Sequence, residues 1–133
     1  METESCIEAA TEFRKKREFV TAINLFTQCI TQCIRQNENS SSPCNNEMLA
    51  SLYNERGFTK YLYVDFNGAI EDYTKALDLY QSATYYYNRG LIHYRLGRFH
   101  EAVQDTTEAL RIQPDFTDAL KCQQQSIIDG KLG

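Results

Sequence analysis

The chain has 133 residues, and among them five cysteines, two histidines and one repeated aspartate position are the first places to look for chemistry. The cysteines are Cys6, Cys29, Cys33, Cys44 and Cys122. An odd set at irregular spacing does not read as a disulfide scaffold, which takes an even set in a short secreted chain. Cys29 and Cys33 are four residues apart, so a helix would stack them on one face. Two soft ligands one turn apart could begin a zinc site, but a tetrahedral site needs two more. The cysteines therefore read as small buried or half-buried thiols. A redox- or metal-responsive role through Cys29, Cys33 or Cys44 stays open as the alternative function. Asp72 and Asp105 could suggest paired carboxylates for acid–base work. Because they recur at one repeat position, they are expected apart, on an outer face. His93 reads as a packed, hydrogen-bonded imidazole, and His100, beside Phe99 at a turn, as solvated. The sequence has no phosphate-binding loop, zinc-protease helix or nucleophile elbow, and no His is spaced to a Cys as in Cys–His catalysis. No enzyme, catalytic residue, metal or cofactor is expected.

Composition narrows the class further. The chain is 42% hydrophobic and 24% charged, which is globular rather than disordered. A formal charge of −4 argues against a phosphate-driven nucleic-acid surface. No stretch approaches the ~18 apolar residues of a membrane span. The opening Met1-Glu2-Thr3-Glu4-Ser5 carries acids where a secretory leader carries bases. The expectation is an intracellular, cytoplasmic monomer without nucleic-acid or membrane partners. Asn39-Ser40-Ser41 spells a glycosylation acceptor and is read as plain polar loop. Arg14-Lys15-Lys16-Arg17 is the only basic run and reads as a solvated helix end, with an anionic partner as the minority reading.

Self-comparison gives the architecture. At an offset of 33, Tyr53 falls on Tyr86, Arg56 on Arg89, Gly57 on Gly90, Tyr61 on Tyr94, Phe66 on Phe99, Ala69 on Ala102, Asp72 on Asp105 and Ala76 on Ala109. At an offset of 47, Phe19 falls on Phe66, Ala22 on Ala69, Phe26 on Tyr73 and Cys29 on Ala76. Three copies of one unit follow, with a polar insert after the first running from Gln36 to Asn46. Each unit holds two helical patterns, here helix A and helix B, separated by a breaker such as Gly97-Arg98. Gly90 and Ala102 sit where the antiparallel pair would cross, and a missing side chain there lets the backbones approach. Such a pair cannot bury all its apolar faces alone, so neighbouring pairs must stack.

The third copy is the most diagnostic, with Asn88-Arg89-Gly90, Leu96-Gly97, Phe99, Glu101-Ala102, Ala109-Leu110 and Pro114. This pattern resembles the tetratricopeptide repeat family. The resemblance implies an all-α α-solenoid (a TPR superhelix) of three helix-turn-helix repeats plus a C-terminal capping helix. Repeat one would span 3–36, an insert and lead-in 37–49, repeat two 50–82, repeat three 83–116 and the cap 117–130, ending at Gly130. The second repeat departs by Val64 at the A–B turn and Gln81 at the closing proline. The first carries Cys29 where alanine is usual, and Thr106 replaces an aromatic in the third, which suggests looser packing there. Arg56-Gly57, Val64-Asp65-Phe66, Asp72-Tyr73-Thr74 and Tyr86 to Ile92, with the Ser/Pro/Cys insert, are also similar to a small vertebrate three-repeat group within that family.

The resemblance further implies a concave groove lined by the A helices and a non-enzymatic role in binding a protein or peptide. By repeat position the groove would hold Ser51, Asn54, Phe58, Tyr61 and Leu62 from repeat two. Repeat three would add Thr84, Tyr87, Leu91, Tyr94 and Arg95. Repeat one would supply Glu4, Ile7, Thr11, Arg14 and Lys15, and the cap Asp118, Lys121 and Gln125. The peptide-binding set is Asn54, Phe58, Tyr61, Leu62, Tyr87, Leu91, Tyr94 and Arg95, with Arg14, Lys15 and Arg95 as positive charge at one edge. All nine tyrosines lie between Tyr53 and Tyr94, and tyrosine suits wet contact surfaces. The competing reading packs several of these rings between helices. Family members that bind chaperone C-termini use a carboxylate clamp of Lys and Asn residues, with one Arg. Those positions here hold Ile7, Thr11, Glu55, Thr84 and Asn88, so no clamp is expected. A structural subunit docking through its convex face or insert is a further alternative.

Overall fold

A computed structural model of the protein describes residues 3–38 and 44–132. Seven α-helices account for nearly all of them: α1 (Thr3–Lys15), α2 (Phe19–Glu38), α3 (Asn46–Leu62), α4 (Phe66–Leu79), α5 (Ala83–Arg95), α6 (Phe99–Ile112) and α7 (Thr117–Leu132). Among the described residues there is no strand. The expected all-α, helix-hairpin architecture is the one observed. The chain divides into two compact units, Met1–Tyr80 with α1 to α4 and Gln81–Gly133 with α5 to α7.

In the first unit α1 pairs with α2 and α3 with α4, and α2 packs on α3. In the second, α5 pairs with α6, and α7 packs on α6 and touches α5. Each A helix ends in the same way. Glu18 N–H donates to the Phe13 carbonyl at 2.9 Å, Asp65 to Lys60 at 2.8 Å and Arg98 to His93 at 2.8 Å. These bonds close the last helical turn, and the residue before each donor lies in the left-handed region. That residue is Arg17 (φ 63°), Val64 (φ 63°) and Gly97 (φ 76°). Glycine adopts this backbone without penalty, whereas a β-branched side chain there is a genuine outlier. Val64 is also 71% exposed, so its side chain gains little in return. Val64→Gly is therefore expected to raise stability by about 1 kcal/mol, the relief of left-handed strain exceeding the added freedom of the unfolded chain. Urea denaturation followed by helical circular dichroism checks this.

The close approach expected at Gly57 and Gly90 is present. A Cβ at Gly57 would lie 3.0 Å from the Tyr73 ring and 3.1 Å from Asp72 Cβ. One at Gly90 would lie 3.0 Å from Asp105 Cβ and 3.4 Å from the Ala102 carbonyl oxygen. Ala109, fully buried, clusters with Ala83 and Ala119, so small side chains also let α5, α6 and α7 meet. Thr106 leaves no loose spot: it is fully buried, and its hydroxyl donates to the Ala102 carbonyl at 2.8 Å.

Three sequence expectations need correction. Helix α3 begins at Asn46, inside the stretch assigned to the insert, because the Asn45 side chain caps it by accepting from Met48 N–H. Helix α7 runs through Gly130 to Leu132, because Gly130 is where the helix rests on Phe99; a Cβ there would lie 3.3 Å from Phe99 Cβ. Four of the five cysteines are paired rather than free, Cys6 with Cys29 and Cys33 with Cys44. Their Cα separations of 5.8 and 5.4 Å fall in the disulfide range. Cys29 and Cys33 do share one helical face, but each meets a partner from outside its helix. All four lie in one apolar cluster with Ile30, Leu49 and Leu52. The centre of the insert, including the Asn39 acceptor and Ser40 to Ser42, lies outside the described residues.

Candidate peptide-binding faces

The A helices carry the candidate site, and a buried ion pair fixes each of the two best-matched hairpins. Arg56 on α3 donates to Asp72 on α4 through Nε at 2.8 Å and Nη2 at 2.7 Å. Arg89 on α5 makes the same fork to Asp105 on α6, at 2.9 and 2.7 Å. Both aspartates are buried, which corrects the outer-face expectation. They face their own A helix because each follows its arginine by 16 residues, the distance across the hairpin. Burial is tolerable because a bidentate guanidinium satisfies both carboxylate oxygens. The partnership raises the Arg56 pKa, its hydrogen bond to Asp72 outweighing desolvation. In the first hairpin the equivalent positions are Ala9 and Leu25, and the Cys6–Cys29 disulfide joins α1 to α2 instead.

Asp72 has a second cation, Lys60 Nζ at 3.1 Å. One repeat later that position is His93, whose Nε2 lies 3.8 Å from Asp105 Oδ2. His93 is packed as expected, but its Nδ1 is buried without a hydrogen-bond partner. Burial lowers its pKa below the ordinary value, and Asp105 only partly opposes this. The native state thus disfavours the proton that the unfolded chain accepts near pH 6.5. The His93 contribution is complete above that pH and is lost as pH falls toward the lower native pKa. Stability measured by urea denaturation from pH 7.5 to pH 5 is expected to decline more steeply in the wild type than in His93→Phe.

On α3, Phe58 and Leu62 are exposed while Asn54 and Tyr61 are half-buried. Tyr61 stacks between Phe58 and Phe66, with centroids 6.4 and 5.7 Å away. Arg14 does not stand free at a positive edge. Its guanidinium lies 5.0 Å from the Phe58 centroid and 5.5 Å from that of Phe26, and it pairs with Glu55 at 2.9 Å. The acid that α3 presents recruits it as a brace from α1 to α3, so the solvated-end reading holds for Lys15 and not for Arg14.

On α5, Tyr87, Leu91 and Tyr94 are half-buried and Arg95 is exposed. Tyr87 packs on Phe116 at 5.0 Å. Tyr94 packs on Phe99 at 5.7 Å, and its hydroxyl donates to Asp129 on α7 at 2.5 Å. This hydrogen bond raises the Tyr94 pKa. Gln125 holds the other oxygen of Asp129 at 2.9 Å. The packed reading therefore describes Tyr61 and Tyr94, each seated on the phenylalanine that opens its helix B, and Phe58, Leu62 and Arg95 are the members that face water. The forks bury the two aspartates that a recurring position alone places on an outer face, although Arg56/Arg89 and Asp72/Asp105 repeat in step. Asp129, in contrast, left no repeat signal.

The free thiol, Cys122, is buried, and desolvation raises its pKa, so it is not an activated nucleophile. Among the described residues no three His, Cys, Asp or Glu side chains are grouped to hold a metal, and no helix is long and apolar enough to cross a membrane.

Stacked hairpins of this geometry define a helical-repeat fold. Residues 83–116 match the tetratricopeptide repeat family. The tetratricopeptide domain of OM64 from Arabidopsis superposes with a TM-score of 0.75 at 24% identity, covering 93% of each chain. The second such domain of human RPAP3, solved with an HSP70 peptide, gives 0.73 at 21% identity over 94% of this chain and 98% of that one. The myosin chaperone UNC-45 from C. elegans, solved with an Hsp90 peptide, gives 0.77 at 24% identity, covering 97% of this chain and 14% of that one. The chain has the tetratricopeptide-repeat fold, and its segment 83–116 is a tetratricopeptide repeat.

Proposed function

We propose that the protein is a non-enzymatic adaptor that captures an apolar peptide segment on the A-helix face of α3, without a carboxylate clamp. The observation that carries this reading is the exposure of Phe58 and Leu62, at 38% and 37%, one helical turn apart beside the amphipathic Tyr61. Large apolar side chains left in water at i, i+4 spacing are anchors for a partner's side chains. The solved relatives bound to chaperone peptides support peptide capture as the use of this fold. The specificity differs because Glu55 stands at a clamp position and is already paired with Arg14, while Ile7, Thr11 and Thr84 offer no cation. The finer resemblance of Arg56-Gly57, Val64-Asp65-Phe66 and Tyr86 to Ile92 is to tetratricopeptide repeat protein 32, a three-repeat protein.

Tyr61 and Tyr94 also hold the fold, so Phe58 and Leu62 are the informative positions. A displayed random-peptide library would be selected on the full chain and the winning peptide titrated by calorimetry. Phe58→Ser/Leu62→Ser is expected to weaken binding at least about ten-fold, with helicity retained. The HSP70 peptide SGPTIEEVD is expected to give no saturable signal below roughly millimolar concentration. Unchanged affinity in the double variant, or low-micromolar binding of that peptide, contradicts the proposal.

A further inference from the structure

The geometry points to the Cys6–Cys29 disulfide as an exchange site for a small acidic peptide thiol of the glutathione class. Cys6 lines an open cavity of about 360 Å³ whose other walls are Thr27, Gln28, Thr31, Gln32 and Arg35 of α2. These residues form a ridge of hydroxyls and amides ending in a guanidinium. Such a lining offers hydrogen bonds to peptide groups and a cation to a carboxylate. The one cysteine in the wall, Cys6, belongs to a disulfide. Hydrogen-bonding groups, a cation for a carboxylate and a disulfide-bonded cysteine therefore line one cavity.

The two disulfides differ in access. Cys29 is fully buried and does not line the cavity, whereas Cys6, though only 2% exposed, does. Cys33 and Cys44 are 0% and 1% exposed, and neither reaches this cavity. A thiolate entering the cavity therefore attacks Sγ of Cys6. The Cys6–Cys29 bond breaks, a mixed disulfide forms on Cys6, and the Cys29 sulfur leaves with the electron pair and takes a proton from water. A second thiolate attacks the peptide sulfur of that mixed disulfide and frees Cys6. Two peptide thiols are oxidised to one disulfide, and one protein disulfide is reduced to two thiols. The released thiol of Cys29 stays among Ile30, Leu49 and Leu52, where a neutral sulfhydryl packs as a small hydrophobe. Opening this bond removes the covalent tie between α1 and α2 in the one hairpin without an Arg–Asp fork.

The oxidised full chain would be exposed to reduced glutathione or to neutral 2-mercaptoethanol, quenched by alkylation and mapped by peptide mass spectrometry. Glutathione is expected to place its adduct on Cys6, with Cys29 alkylated, before Cys33 or Cys44 reacts. Arg35→Glu is expected to slow the glutathione reaction about five- to ten-fold and to leave the 2-mercaptoethanol rate within about two-fold. Arg35→Gln should fall between, which separates charge recognition from any loss of folding. Prior opening of Cys33–Cys44, an adduct on Cys29, or an Arg35→Glu effect that is absent or equal for both thiols would overturn the assignment.

Discussion

Arg89→Leu is expected to destabilise the second unit by about 3–5 kcal/mol, the range for stranding one partner of a buried ion pair. Asp105 would lose its bidentate cation at 7% side-chain exposure, leaving the His93 imidazole 3.8 Å away. Asp105→Leu should cost less, because Arg89 is 22% exposed and its long side chain can carry the charge outward to water. Replacing both by leucine should recover much of the loss, since two apolar side chains need no compensating charge. The cycle of two single variants and the double, measured by denaturant unfolding, yields the coupling directly. Near-additive single losses would show that the fork does not hold α5 to α6. The same substitution at Arg56 should be milder, because Lys60 still reaches Asp72 at 3.1 Å.

Gly57→Val is expected to cost about 3 kcal/mol, the upper part of the overpacking range. Its Cβ would meet Tyr73 at 3.0 Å and Asp72 Cβ at 3.1 Å, and neither can withdraw easily. Tyr73 is a 2%-exposed ring, and Asp72 is held by Arg56. The branched side chain adds two methyl groups to that crowded seam. Gly57→Ala should cost less, because a single methyl enters and alanine is the better helix former. Thermal unfolding of the three proteins checks the order, glycine above alanine above valine.

Periodicity made most of the fold legible. Glycine and alanine at fixed offsets marked the helix crossings, and the breaker Gly97-Arg98 marked the turn of the third unit. Less of the candidate site was legible, for physical reasons that differ by residue. Tyr61 and Tyr94 recur 33 residues apart whether they bind a partner or seat on Phe66 and Phe99, so their spacing could not choose between the roles. Arg14 reads as part of a basic run, because its partner Glu55 lies 41 residues away. Cys6 with Cys29, and Cys33 with Cys44, follow no cysteine spacing rule; only the path of α1, α2 and the return into α3 brings them together. The Asp72 and Asp105 repeat was visible, but a recurring acid looks like an outer-face residue until the arginine repeating in step with it is read as its partner.

Chemical-shift mapping of a selected peptide on the isotope-labelled full chain locates the captured segment. Shifts concentrated at Phe58, Tyr61 and Leu62 of α3 are expected. Nuclear Overhauser contacts should run from the peptide's apolar side chains to Phe58 and Leu62. Shifts confined to the outward faces of α2, α4 or α6, with the α3 signals unmoved, would contradict capture on α3.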